Sequence, residues 1–248
     1  MEVINVGEVI NYDEQINKGG GSIHVSNSFL APSQPCRCAI VGPGGSGKSN
    51  HFLDLLLRWM KWNRVYLFCK NEKEDKAIFL QKKMEVFQAA LDKKLGDKSY
   101  NIYSVSTDLK DLPDLNDMVS ESKDFHTIVI INDLVLEKNQ ENLAQFFIRS
   151  RHMNVSILYC TQFYFSMPKV MRDSCTDIHV FKFADNRNIA KLANIYSRGI
   201  SKQKFIELYH EATKDRYSWF NIDLRAKSML LKYRRRFNGL YVEKSEDK

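Results

Sequence analysis

The sequence predicts an α/β fold in which a mainly parallel sheet is flanked by helices. Short apolar runs rich in β-branched residues alternate with segments whose apolar residues recur at helical spacing. Residues 127–131 (Thr-Ile-Val-Ile-Ile) are the clearest such run, since a continuous β-branched stretch is typical of a strand covered on both faces. Strands that alternate with helices are usually parallel and joined by right-handed crossovers.

The predicted elements follow one another regularly from residue 36. Predicted strands span residues 36–41, 64–69, 100–105, 127–131, 155–160 and 178–183, with further β structure over 217–222 and 229–242. A helix is predicted over 49–62, and four later helices are indicated by apolar residues at Leu80 to Leu91, Leu143 to Ser150, Ile189 to Tyr196 and Phe205 to Ala212. We expect an irregular N-terminal extension at 1–34, a core at 35–225, and a basic C-terminal segment and tail at 226–248.

Composition favours an intracellular globular protein with a polyanionic partner. The 248 residues suffice for one sizeable core, and 44% hydrophobic with 27% charged residues is typical of a globular domain. The N-terminus lacks the pattern of a secretory signal, and no apolar run approaches the roughly 20 residues of a membrane helix. The net charge of +7 suits nucleic acid first and an acidic membrane surface second.

The cysteines favour a reducing compartment. They form an odd and scattered set, and the spacing Cys36-x-Cys38 is not by itself that of a zinc site. We expect buried, reduced thiols at Cys36, Cys38, Cys69, Cys160 and Cys175.

Residues 42–49 match the phosphate-loop pattern G-x-x-x-x-G-K-[ST]. Glycines allow backbone N–H groups to approach phosphate oxygens, and the positive end of the following helix adds to the anion site. We expect Lys48 to reach the β- and γ-phosphates of ATP and the Ser49 hydroxyl to ligate Mg²⁺. An apolar strand precedes the motif and an amphipathic helix follows, so the sequence predicts a P-loop nucleoside triphosphatase. The predicted nucleotide-binding residues are Gly42, Pro43, Gly44, Gly45, Ser46, Gly47, Lys48, Ser49 and Asn50.

The predicted strand at 127–131 ends in Asn132-Asp133, where a P-loop protein needs a carboxylate near Mg²⁺. In one register Asn132 takes the metal-facing position and Asp133 is the acid that activates water. Asn132 can accept a hydrogen bond from a metal-bound water but contributes no charge. In the other register Asp133 is the metal-side acid, and Glu137 or another residue is the base. Asp133 is needed in both.

Two further groups are candidates for sensing or stabilising the transferred phosphate. The strand at 155–160 ends in Thr161-Gln162, and an amide beside the phosphate loop can orient the attacking water, although a turn glutamine can also simply bond to backbone. Arg149 and Arg151 precede that strand. An arginine from a neighbouring subunit often stabilises phosphoryl transfer, but arginines at helix ends are commonly solvated or capping residues.

Together these residues resemble the FtsK–HerA superfamily of DNA-pumping ATPases. The resemblance is strongest to the poxvirus-type genome-packaging ATPases shared by large DNA viruses, virophages and polinton-like elements, and it covers roughly residues 36–195. In that family a Gly/Ser-Arg-His stretch leads into a strand that ends in Thr-Gln. The residues that carry the resemblance are the phosphate loop, Asn132-Asp133, the run from Arg149 to Gln162, and Pro168-Lys169-Val170-Met171-Arg172.

The resemblance implies a RecA-like central sheet and an ATP- and Mg²⁺-dependent motor. It implies roles for Lys48 and Ser49 at the nucleotide, Asp133 as the acid, Gln162 as the sensor, and Arg151 as an arginine acting in trans. Family members commonly carry two acids where this chain has Asn132-Asp133. The implied partners are double-stranded DNA, further copies of the chain in a ring that is expected to be a hexamer, and a capsid or vertex protein, with no membrane. The implied location is the virus factory or virion of an infected cell.

Two segments could contact DNA, and two other functions compete with the motor. The basic run 232–237 with its interleaved aromatics suits a DNA channel, but a solvated strand face explains it equally well. Phe163-Tyr164-Phe165 could border the channel or pack in the core. A nucleotide or small-molecule kinase would use the same phosphate loop, although no lid segment is apparent. A nucleotide-binding scaffold with weak hydrolysis would explain Asn132.

Overall fold

The computed structural model describes residues 2–4, 30–118, 124–134, 140–237 and 239–242. Ten strands in these residues form one sheet. The strands are β1 Glu2–Ile4, β2 Arg37–Val41, β3 Arg64–Cys69, β4 Tyr103–Ser106, β5 Thr127–Asn132, β6 Val155–Thr161, β7 Asp177–Phe181, β8 Trp219–Asp223, β9 Tyr233–Arg235 and β10 Gly239–Val242. The helices are α1 Lys48–Asp54, α2 Asp75–Leu95, α3 Gln140–Arg149, α4 Lys169–Asp173, α5 Asn186–Tyr196, α6 Lys202–Ala212 and α7 Met229–Lys232.

The parallel half of the sheet has the order β7-β2-β6-β5-β3-β4. Its central strand β2 pairs in parallel with β6 on one side and with β7 on the other. Alternate residues of β2 contribute to two apolar clusters, with Cys38 and Ile40 in one and Ala39 and Val41 in the other. All residues of β2, β5, β6 and β7 are buried, which explains why their sequences are predominantly apolar. The predicted fold class is confirmed.

An antiparallel extension continues the sheet beyond β7 in the order β8-β9-β10-β1. The predicted β structure over 229–242 is correct only in part, because Met229–Lys232 is the helical turn α7. Residues 2–4, expected to be irregular, form β1 and pair with β10. That pairing uses the free edge of β10, and a three-residue strand gives too short an alternation to be seen in sequence.

Two element ends and the packing of one helix residue differ from the predictions. Helix α1 continues as a π-helix at Leu55–Trp59 and ends there, because Met60 adopts an extended backbone. Strand β7 ends at Phe181 rather than at residue 183. On α2, Phe87 is 36% exposed and packs edge-on against the Trp62 ring rather than in the core.

Two arginines of the basic run near the C-terminus are internal and not on a solvated strand face. Arg234 and Arg235 are buried, and each guanidinium contacts a carboxylate: Arg234 lies 3.5 Å from Asp223, and Arg235 contacts Asp215. Buried arginines need such partners because an unpaired charge in the interior is strongly destabilising. Arg234 therefore ties β9 to the end of β8, and Arg235 ties β9 to the turn before β8.

The five cysteines are free, buried thiols as expected. Burial raises the pKa of Cys36 and of Cys175 to about 12, so both remain protonated.

Among the described helices, none is long and apolar enough to cross a membrane.

Candidate nucleotide-binding site

The phosphate loop connects the carboxyl end of β2 to the start of α1. The Gly42 N–H donates to the Thr161 carbonyl at 3.1 Å, which ties the loop to the end of β6. A Cβ at Gly42 would lie 2.7 Å from the Phe181 Cβ, so only glycine fits there. Gly47, which precedes α1, has φ +104, a left-handed conformation that favours glycine. Glycine is therefore required at positions 42 and 47 by the path of the backbone.

Lys48 lies at the rim of this loop with 5% of its surface exposed. Its ammonium donates to the Gly42 carbonyl at 2.8 Å and to the Pro43 carbonyl at 3.1 Å. It also lies 3.8 Å from an Asp133 carboxylate oxygen. The amine is thus positioned between the loop and the end of β5, where a phosphate oxygen can exchange for a carbonyl.

Asp133 and Gln162 converge on Lys48 because their strands are neighbours. Strand β6 lies between β2 and β5, and all three are parallel, so their carboxyl ends meet at one edge of the sheet. Asp133 follows β5 and has φ +56, a turn fixed by its N–H donating to the Cys160 carbonyl at 3.1 Å. The Gln162 amide nitrogen lies 3.5 Å from the same Asp133 oxygen that faces Lys48. Cation, carboxylate and amide therefore share one cleft.

Asn132 is the last residue of β5 and is 8% exposed. Its amide oxygen is buried and accepts no hydrogen bond from the residues described. Buried polar atoms normally have a partner, so this unpaired oxygen at the residue before Asp133 is a candidate for binding a metal-bound water. With the half-buried Ser49 hydroxyl and the Asp133 carboxylate, this oxygen set suits Mg²⁺.

Arg151 lies at the opposite edge of the sheet from this cleft. It precedes β6, whereas Gln162 follows β6, and the pKa of Arg37 at the start of β2 is lowered by burial and by the nearby Arg151. Arg151 is exposed, and its Nε donates to the adjacent His152 ring at 2.8 Å. Its guanidinium is thus not part of the cleft formed by Lys48, Asp133 and Gln162 of the same chain. Arg149 is also exposed, and Glu137 lies outside the described residues.

Two residues next to the loop were not singled out from the sequence. The Thr161 hydroxyl accepts from the Phe163 N–H at 3.1 Å and so fixes the turn that carries Gln162. Tyr217 contacts Gly47 from the far side of the loop. The Thr-Gln pair gave a local signal for Thr161, but Tyr217 is remote in sequence and no pattern marks it. Of the three aromatics after Gln162, Tyr164 is buried and Phe163 is 64% exposed.

The fold and this cleft define a P-loop nucleoside triphosphatase. The family described as poxvirus A32 protein matches residues 26–223, so the chain belongs to that family. The sequence resemblance to viral genome-packaging ATPases is thereby confirmed. A comparison with curated protein sequences found no match.

Solved structures similar to this chain include genome-packaging proteins of archaeal viruses. The DNA-packaging ATPase B204 of Sulfolobus turreted icosahedral virus aligns with a TM-score of 0.52 and 14% identity, covering 79% of this chain and 96% of that one. The packaging NTPase B204 of Sulfolobus turreted icosahedral virus 2, in complex with AMPPCP, aligns with a TM-score of 0.51 and 15% identity, covering 78% and 95%. At these identities the likeness shows the shared fold.

Proposed function

We propose that this chain hydrolyses ATP to move double-stranded DNA during packaging of a viral genome into a capsid. The convergence of Lys48, Asp133 and Gln162 beside the phosphate loop carries the proposal. Membership of the poxvirus A32 family supports it, as does the similarity in fold to two proteins described as packaging ATPases. The net charge of +7 suits a partner whose phosphate backbone must be gripped without reading sequence.

The proposed roles follow from the chemistry of phosphoryl transfer. Residues 42–50 bind the nucleotide, and Lys48 neutralises charge on the β- and γ-phosphates. Asp133 takes the proton of the attacking water, and Gln162 orients that water. Ser49, Asn132 and Asp133 would hold Mg²⁺, which screens charge on the phosphates when bound.

Arg151 is proposed to act on the nucleotide of a neighbouring copy. Arg151 lies at the amino ends of the parallel strands, so neither Arg149 nor Arg151 reaches the nucleotide cleft at their carboxyl ends. The charge of a phosphoryl-transfer transition state is commonly stabilised by an arginine that a neighbouring subunit supplies in trans. The proposal therefore includes a homo-oligomeric ring, with a hexamer expected from the resemblance. A capsid or vertex protein is the further expected partner, and the virus factory or virion of an infected cell the expected location.

The test is ATP hydrolysis with and without duplex DNA, measured beside the native mass of the assembly. We expect DNA to stimulate phosphate release and both Lys48→Ala and Asp133→Ala to abolish it. Lys93→Ala, which removes an exposed lysine on α2, is the matched control and should leave turnover unchanged. Undiminished turnover in Lys48→Ala contradicts the proposal, and phosphate transfer to a nucleoside acceptor instead of release would identify a kinase.

The unpaired amide oxygen of Asn132 favours one alternative, a nucleotide-binding protein with weak hydrolysis. An amide at this position supplies no negative charge to a metal. Nucleotide binding without DNA-stimulated turnover in the unaltered chain would favour this alternative over the motor.

A further inference from the structure

Tyr217 contacts the phosphate loop on the side away from Asp133 and Gln162. It precedes β8, and a Cβ placed on Gly47 would lie 3.0 Å from the Tyr217 Cδ1. In the sheet β8 follows β7, which borders β2 on the side opposite β6. Tyr217 and the Asp133–Gln162 pair therefore flank the loop from opposite sides.

This arrangement fixes the direction in which a bound nucleotide would lie. The γ-phosphate end of a triphosphate belongs with the Lys48 ammonium, the Asp133 carboxylate and the Gln162 amide, all on the β6 and β5 side. A linear triphosphate threaded through the loop then brings its nucleoside end out toward β7 and β8. Tyr217 is the aromatic residue that lies there against the loop.

The backbone at Tyr217 is strained and held in place by the basic run of β9 and the turn after it. Tyr217 has φ +62, an uncommon conformation for a bulky residue. The turn around it is anchored at both ends: Arg235 contacts Asp215, and the Arg236 Nε donates to the Ser218 hydroxyl at 3.2 Å. Strain maintained by such contacts is commonly found at ligand-binding positions.

One face of the Tyr217 ring is covered by a planar group on an exposed side chain. The Arg216 guanidinium carbon lies 4.7 Å from the ring centroid, Arg216 is exposed, and Tyr217 is half-buried. A flat guanidinium on this face shows that the face admits a planar partner. Nucleobases stack on tyrosine rings and on arginine planes in the same way.

We propose that Tyr217, flanked by Arg216, is the base-stacking residue of the nucleotide site, so that the base of a bound nucleoside triphosphate lies on its ring. The inference rests on the proposed function, since it assumes that the phosphate loop binds a nucleotide. If Tyr217 stacks on the base, then the strained turn at Tyr217, and Arg235 and Arg236 that anchor this turn, contribute to the affinity for the nucleotide.

The experiment compares two ligands, ATP and inorganic tripolyphosphate, which share the triphosphate and differ in the base. Tyr217→Asn removes the ring, and asparagine tolerates a positive φ better than tyrosine. Tyr217→Phe keeps the ring and is the matched control. We expect Tyr217→Asn to weaken ATP binding roughly tenfold, the change expected for loss of one base–aromatic stack. Tripolyphosphate binding should be unchanged in both variants, which also reports that the loop is folded.

Three results would overturn the inference, and they are distinguishable. Equal weakening of both ligands in Tyr217→Asn would mean that the ring only supports the loop. Equal affinity of the unaltered chain for ATP and tripolyphosphate would mean that the base makes no contact. Failure of the unaltered chain to bind either ligand would overturn the proposed function itself, and the inference with it.

Discussion

The Lys48 ammonium lies 3.8 Å from the Asp133 carboxylate, which joins the phosphate loop to the end of β5. The lysine is 5% exposed, so the carboxylate is the anion that balances its charge in the free protein. The same carboxylate faces the Gln162 amide at 3.5 Å. One oxygen of Asp133 thus faces both the Lys48 ammonium and the Gln162 amide, so a substitution of Asp133 changes the surroundings of both groups.

Asp133→Asn should lower kcat by roughly 10²–10⁴-fold, the usual contribution of a general base, while ATP binding is retained or tightened. The binding expectation follows because the substitution removes a negative charge beside Lys48 and the incoming phosphates. Asparagine also tolerates the φ of +56 at this position, so the fold should be unaffected. Kd for ATP and single-turnover hydrolysis measure the two effects separately. Unchanged hydrolysis would exclude Asp133 as the base.

Asn132→Asp should lower the Mg²⁺ concentration needed for half-maximal hydrolysis, because it adds a charge at a buried, unpaired oxygen. Without Mg²⁺ the same variant should be destabilised by about 1–3 kcal/mol, since a buried carboxylate then lacks a partner. Chemical denaturation in EDTA and in Mg²⁺ measures this difference.

Asn132→Leu is the matched control for Asn132→Asp. It replaces the amide with an apolar group of similar size, so it should stabilise the protein in EDTA and show no stabilisation by Mg²⁺ through this position. A Mg²⁺ dependence of hydrolysis in Asn132→Asp equal to that of the unaltered chain would show that residue 132 does not face the metal.

Arg151→Ala should reduce hydrolysis about 10³-fold or more with ATP affinity unchanged, as expected for a transition-state arginine. Mixing Arg151→Ala with Lys48→Ala should restore part of the activity. In a mixed assembly the Lys48→Ala copies supply Arg151 to intact clefts in their Arg151→Ala neighbours. Arg149→Ala, an exposed arginine on the preceding helix, should behave like the unaltered chain. Two inactive variants that stay inactive when mixed would contradict action in trans.

The sequence predicts the parts of this fold whose signal is local. Strands buried on both faces are predominantly apolar, so β5 and β6 are visible as apolar runs, although the buried strand β7 also carries Asp177 and His179. A motif that requires glycine at fixed spacing is visible as the phosphate loop. The rule that the carboxyl ends of parallel strands lie at one edge of the sheet also predicts that Asp133, Gln162 and the phosphate loop share that edge. The order β2-β6-β5, which brings Asp133 and Gln162 close to Lys48, comes from the structure.

The parts that could not be predicted depend on partners remote in sequence. The basic run of β9 has the composition of a nucleic-acid contact, and only the positions of Asp215 and Asp223 reveal that Arg235 and Arg234 are internal. The position of Tyr217 likewise depends on a remote partner, because the contact of Arg235 with Asp215 anchors the turn that contains Tyr217. Charge composition measures how many arginines a segment has, but burial and pairing decide whether DNA can reach them.

A buried histidine pair links the phosphate-loop helix to the antiparallel strands. The His179 Nδ1 lies 2.7 Å from the His51 Nε2, and the Cys38 thiol lies 3.2 Å from the same Nδ1. The Asn221 amide, oriented to donate to the His179 Nε2 at 2.9 Å, accepts from Arg234. Burial, and then the Arg234 charge, lower the pKa of His179 to about 3, and burial and His179 lower the pKa of His51. Both histidines are therefore neutral in the folded protein.

This pair should make the fold sensitive to moderate acid. An unfolded histidine takes up a proton near pH 6.5, whereas folded His179 does so only near pH 3, so stability is lost as pH falls between these values. The loss for one histidine is about 2 kcal/mol between pH 7 and pH 5. His179→Gln cannot take up this proton, so its free energy of unfolding should fall less steeply over that range in denaturant titrations. His210→Gln, which removes an exposed histidine, should keep the original slope. Equal slopes for His179→Gln and the unaltered chain would show that the His179 proton equilibrium does not differ between the folded and unfolded states.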